Sequence, residues 1–279
     1  MQVRSRTLCA AAMAVCLAAG LSSPQIIAAS GDARTLSLYN IHNGERLNVL
    51  YKQDGKFVPS ALDKLNWFFR DWRRNEATKM DPQVFDIAWE IHEELGSKKP
   101  IHVVSGFRSS RTNEKLRRSG GGQAKSSQHV QGRAIDLHFP DVPVKKIRYS
   151  ALVRERGGVG YYPTSALPFV HVDTGRVRMW PRMPRQELAL LFQNGRSKYV
   201  PADGRPINRA DVDKARVKNA QLAEAIDNFH NFRRLAKEGG GAAVVVASVD
   251  ETIVPPQPQL AIKPAVDDGN AGGITLASL

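Results

Sequence analysis

Two histidines and an aspartate constrain this chain more than any other feature. His129 lies in Ser127-Gln128-His129-Val130-Gln131-Gly132-Arg133-Ala134-Ile135-Asp136, and His171 in Phe169-Val170-His171-Val172-Asp173. Zinc hydrolases take three N/O donors from the protein and leave the fourth position to water. Two histidines and one carboxylate leave the ion a small net positive charge, which keeps that water acidic near neutral pH. Such a set requires a fold that brings a Ser- and Gly-rich loop, the strand after it and a much later strand to one point. Gly132 allows the tight backbone turn. Asp136 stands between Ile135 and Leu137, a setting costly for a carboxylate unless it is paired or metal-bound. His171 has apolar neighbours and alone reads as a satisfied core histidine. With His129 and Asp136 it reads as the third ligand.

Local patterns supply the rest of the scaffold. Leu36, Leu38 and Tyr39, then Leu47, Val49 and Tyr51, alternate around Asn43-Gly44, which predicts a hairpin over 36–58. Ser60 and Asp63 suggest a capping box, followed by Leu62, Leu65, Phe69 and Trp72 at helical spacing. Asp81-Pro82 reads as an N-cap with proline at the first helical position, and Gly96 as that helix's end. Ile101 to Val104 reads as a buried strand, Thr112 to Arg118 as a short helix, and Gly120-Gly121-Gly122 as a rim loop. A strand is expected over 134–139, a helix from Asp141-Val142-Pro143 to about Glu155, and strands near 158–162, 168–173 and 176–180. The last two are joined at Thr174-Gly175. Beyond Trp180, Leu188 to Phe192 reads as a short helix and 208–237 as one charged helix. From Gly239 the chain is rich in Gly, Ala, Val and Pro without aromatics, which predicts a disordered tail.

The first 29 residues read as a secretory signal. Arg4 and Arg6 precede an apolar run from Leu8 to Leu21, and Ala28-Ala29 close it. The run falls short of the roughly 20 residues of a membrane span. Both cysteines, Cys9 and Cys16, lie inside it, and Met13-Ala14-Val15 is a poor lipidation box. The mature chain is therefore expected to have no disulfide, no thiolate ligand and no stable membrane anchor, and to be periplasmic. The formal net charge is +13, of which the leader holds only Arg4 and Arg6. Such a charge attracts an anionic polymer. Nucleic acid fits poorly, since no basic stripe interleaves with aromatics.

The pattern S-x-H-x-x-G-x-A-x-D followed by H-x-D resembles the zinc peptidoglycan peptidases of the lysostaphin, D-Ala-D-Ala peptidase and hedgehog type. Within them it is most similar to the murein endopeptidase K group. Ser105-Gly106-Phe107-Arg108-Ser109, Gly158-Val159-Gly160-Tyr161-Tyr162 and Asp173-Thr174-Gly175-Arg176-Val177-Arg178 extend the likeness over about residues 36–182. The resemblance implies one zinc ion on His129, Asp136 and His171, peptidoglycan stem peptides as substrate, and Arg108 near that substrate. Arg108 would bind a carboxylate or steady charge on the scissile carbonyl, or else form a salt bridge within the fold. Related enzymes often place an acid or histidine two or three positions before the third ligand, where this chain has Phe169 and Pro168. Asp173 is then the nearest candidate base, sharing the strand face of His171. The alternatives are that Asp173 orients His171 or caps the turn at Thr174-Gly175, or that His138 serves. The expected fold is α+β, a small antiparallel sheet with flanking helices around a zinc cleft. The expected order is a signal (1–29), a zinc peptidase domain (30–182), a mostly helical extension (183–238) and a disordered tail (239–279). Cleavage of cross-links is the leading activity. Trimming of terminal D-alanine, or non-catalytic cell-wall binding, are the alternatives.

Overall fold

The computed structural model describes residues 32–120 and 123–238. The leader, Gly121-Gly122 of the rim loop and the tail from 239 lie outside the described residues. The elements in chain order are β1 (Arg34–Asn40), β2 (Arg46–Gln53), β3 (Lys56–Phe57), α1 (Pro59–Phe68), α2 (Pro82–Glu94), β4 (Ile101–Ser105) and α3 (Ser110–Arg118). They continue with β5 (Ala134–His138), α4 (Val144–Leu152), β6 (Gly158–Tyr162), β7 (Phe169–Asp173), β8 (Arg178–Trp180), α5 (Arg185–Leu191), α6 (Arg209–Lys218) and α7 (Ala220–Glu238).

The fold is α+β, but the sheet is neither small nor wholly antiparallel. Eight strands run in the order β3-β2-β1-β4-β5-β7-β6-β8. Two pairs are parallel, β1 with β4 and β6 with β8. The first follows from α1 and α2, which carry the chain back before β4 starts. In the second, β8 follows the 174–175 junction but leaves its sequence neighbour β7 and pairs on the far side of β6.

Side-chain alternation splits the sheet into two faces. Leu36, Leu38, Ile101, Val103, Ile135, Leu137, Val159, Val170 and Val172 point to the core. Helices α2 and α4 lie against this face. Fully burying each such side chain stabilises by roughly 1.5–3 kcal/mol. Leu188 to Leu191 of α5 and Ala223, Ile226 and Phe229 of α7 join the same core. The other face carries Asp136, His138, Phe169, His171 and Asp173.

The helix starts show which local rules held. Asp81 caps α2, its side chain accepting from the Gln83 N–H at 3.0 Å, and Gly96 follows the helix with φ +63°. For α1 the Ser60–Asp63 capping box does not form. The helix begins one residue earlier at Pro59, behind Val58, with no side-chain cap. Proline fixes the helical φ at the first position and has no N–H to cap. Residues 208–237 form two helices rather than one. The Asn208–Asp211 capping box starts α6, and Asn219 interrupts the helical backbone at φ −137° before α7.

Candidate metal centre

The three predicted ligands converge. Asp136 on β5 is directly opposite His171 on β7. His129 comes from the turn before β5, where Gly132 at φ +66° closes the loop and its N–H reaches the His129 carbonyl at 3.3 Å. His129 Nε2 stands 3.1 Å from His171 Nδ1, His171 Nδ1 2.8 Å from Asp136 Oδ1, and His129 Nε2 3.3 Å from Asp136 Oδ2. Donors of a tetrahedral zinc ion with bonds of about 2.0–2.1 Å lie roughly 3.3 Å apart. The edges of the triangle are of that size. Among the described residues this is the one His/Asp group so arranged.

The outer edges of both rings fix their tautomers. His129 Nδ1 lies 2.7 Å from the Gly106 carbonyl, which can only accept, so Nδ1 carries the hydrogen. His171 Nε2 lies 3.0 Å from Asp173 Oδ2 and likewise donates outward. In the neutral rings this leaves Nε2 of His129 and Nδ1 of His171 as lone pairs facing each other and the Asp136 carboxylate. Three electron-rich groups aimed at one buried point require a cation there, and outward hydrogen bonds of this kind are how ligating histidines are held. Without a metal, a proton meets that demand. Burial works against charge on His171, but the hydrogen bonds the ring donates to Asp136 and Asp173 overcome it and push the ring up to about 10. Burial also opposes ionisation of Asp136, yet the two imidazoles hold it well below the usual carboxylate range.

Asp173 stands on the edge of His171 opposite the centre. Besides His171, its carboxylate accepts from the N–H of Gly158 (2.9 Å) and Gly175 (2.8 Å) and from Arg178 at 3.1 and 2.7 Å. It is 1 % exposed. Burial raises its pKa, but His171 and Arg178 more than reverse this and hold it well below the usual range. Trp180 packs on His171 at 5.0 Å between ring centroids. The space comes from Gly160, opposite His171 on β6, where a Cβ would lie 2.6 Å from the indole.

Arg108 is buried, and its side chain reaches Asn113 Oδ1 at 3.3 Å. Its backbone N–H binds the His129 carbonyl at 3.2 Å, which ties the Ser-Gly-Phe-Arg segment to the ligand loop. The salt bridge weighed for it does not form among the described residues. His138, two residues past Asp136 on the same face, lies with Nδ1 2.8 Å from the Pro168 carbonyl. Burial lowers its pKa, against the Pro168 carbonyl and Asp141. Arg133 is exposed beside Gln131, and Ser127 Oγ accepts from the His129 N–H at 3.3 Å. The sequence reading missed the Gly106 carbonyl, which has no side-chain signal. It also missed the pairing of Arg178 with Asp173, five residues earlier.

A family model described as Peptidoglycan L,D-endopeptidase MepK matches residues 28–180. The Peptidoglycan L,D-endopeptidase MepK of Escherichia coli strain K12 is 42 % identical over 147 residues, which cover 53 % of this chain and 80 % of that protein. The protein of the same name from Shigella flexneri shows the same identity and coverage. The Probable peptidoglycan L,D-endopeptidase MepK of Haemophilus influenzae Rd is 45 % identical over 148 residues, 53 % of this chain and 78 % of that protein. No solved structure matches. The match takes in the ligand loop, both ligand strands and the Ser-Gly-Phe-Arg segment, and the chain belongs to the peptidoglycan L,D-endopeptidase MepK family.

Proposed function

We propose that this chain is a zinc-dependent murein endopeptidase that hydrolyses peptide cross-links of peptidoglycan, at an L,D bond as its relatives are named for. The observation that carries the reading is the triangle of two outward-fixed imidazoles and one buried carboxylate. The names of the related proteins support the substrate, and the charge, 13 − 2 = +11 without Arg4 and Arg6 of the leader, suits an anionic wall. The working location is the periplasm, after removal of the leader. Among the described residues no helix is long and apolar enough to cross a membrane.

His129, Asp136 and His171 would hold a zinc ion, which when bound would supply polarisation of the scissile carbonyl and a more acidic attacking water. Asp173 is the orienting partner of His171, because its carboxylate stands on the far ring edge and a strongly acidic carboxylate accepts protons poorly. His138 takes the base role in its place. Its Nδ1 donates to the Pro168 carbonyl, which leaves Nε2 able to accept a proton and later return it to the leaving amine. Phe169 and Pro168 stand two and three residues before His171, where related enzymes often place an acid or histidine, so the neighbouring strand supplies the missing group. Arg108 steadies negative charge on the carbonyl oxygen.

The test is incubation of the purified chain with intact peptidoglycan, with and without a chelator, followed by mass analysis of released muropeptides. Chelator-sensitive conversion of cross-linked dimers to monomers is expected. Loss of single alanines would make it a carboxypeptidase, and unchanged wall would leave only binding.

A further inference from the structure

The Ser-Gly-Phe-Arg segment and the α1–α2 loop each carry an arginine, Arg108 and Arg73. The α1–α2 loop packs on the Ser-Gly-Phe-Arg segment: Phe107 N–H reaches the Phe69 carbonyl at 2.7 Å, and Asp71 Oδ2 accepts from Ser109 N–H at 3.0 Å and Oγ at 2.7 Å. This sets the loop that carries Arg73 against the segment that carries Arg108. Burial lowers the pKa of Arg73, Asp71 opposes this, and Arg108 adds to it. Asp71 is already engaged, since its other oxygen accepts from the backbone N–H of Arg73 itself. Among the described residues, neither Arg73 nor Arg108 forms an ion pair.

Arg73 is held another way. Its guanidinium lies 4.3 Å from the centroid of the Trp72 ring. Trp72 in turn stacks on His42 at 4.5 Å and 20°, and His42 Nε2 is anchored on the Val104 carbonyl at 2.8 Å. A cation over an aromatic face is positioned without using its N–H donors. The Arg73 fork is therefore placed while its hydrogen bonds stay available, an arrangement suited to bidentate binding of a carboxylate.

We propose that Arg73, with Arg108, forms a carboxylate subsite of the peptidase, and that Arg73 sets its preference for stem peptides with a free carboxylate near the scissile bond. This rests on the endopeptidase reading above. Arg73 acts on substrate binding, while Arg108 also faces the reacting carbonyl.

The experiment compares wild type and Arg73→Gln on cross-linked muropeptides and on the same muropeptides after amidation of their carboxylates. Wild type should cleave both, with KM higher for the amidated form. Arg73→Gln should raise KM for the free form roughly ten- to a hundredfold, as for loss of a charged hydrogen bond, with kcat little changed. On the amidated form the two proteins should then behave alike. Equal losses on both substrates would make Arg73 merely structural and overturn the proposal. So would a variant that keeps the wild-type preference, or a wild type with none. Cleavage of neither substrate by wild type would defeat the endopeptidase reading itself, and the subsite with it.

Discussion

Strands β5 and β7 have two faces built from alternate residues of the same short stretches, and the faces do opposite work. Ile135, Leu137, Val170 and Val172 point into the helix-covered core and are at most 1 % exposed. Asp136, His171 and Asp173, one step away in each strand, are 6 %, 1 % and 1 % exposed. Burial is nearly equal, but its energetic sign is not. On the apolar face it is the driving force of folding. On the polar face it is a cost that hydrogen bonds and a cation must offset. The apolar face holds the register, and the register sets His171 across from Asp136. A one-residue slip would turn the donors into the core.

The comparison can be broken at either face. His171→Ala should abolish hydrolysis, by about a thousandfold or more, because several kcal/mol of transition-state stabilisation depend on the held ion. Its thermal stability should not collapse. Muropeptide turnover beside a melting curve checks this, and a fold lost together with activity would merge the two roles. Leu137→Ala should do the reverse. It should cost about 2–5 kcal/mol of stability in denaturant titration, while the folded fraction still binds metal.

Asp173→Asn sharpens the polar face. Loss of the carboxylate that holds His171 Nε2 should weaken metal affinity about ten- to a hundredfold, and excess zinc should restore turnover. A deficit that excess zinc leaves in place would assign Asp173 to proton transfer. The smallest effect is graded with pH. In the metal-free centre His171 is raised from about 6.5 to about 10, so its proton stabilises that centre fully below about 6.5 and the benefit fades as pH rises through 10. A metal must displace this proton. Apparent affinity should therefore climb by about tenfold per pH unit between those values, as measured by chelator competition. A flat profile would show that the ring carries no such proton.

Much of this was legible because it is local. The ligand loop and its strand form one continuous segment, Asp81-Pro82 declares its own cap, and strand alternation marks each face. What failed to show was non-local. The parallel partner of β1 depends on where α1 and α2 return the chain, and that of β8 on a crossing from β7 to the far side of β6. Spacing placed Asp173 on the face of His171, but only side-chain orientation decides which ring edge it meets. Arg73 gave no signal in an exposed Arg73-Arg74 pair. Its place is set by Trp72 and His42, thirty residues apart in sequence and stacked in space. Ser60 and Asp63 had the right spacing for a cap, and Pro59 outranked them.

The most direct test of the polar face is the metal content of the purified full chain beside Asp136→Ala, by elemental analysis, with circular dichroism to check the fold. The account predicts about one divalent ion per wild-type chain and close to none in the folded variant. Equal metal in both would contradict it.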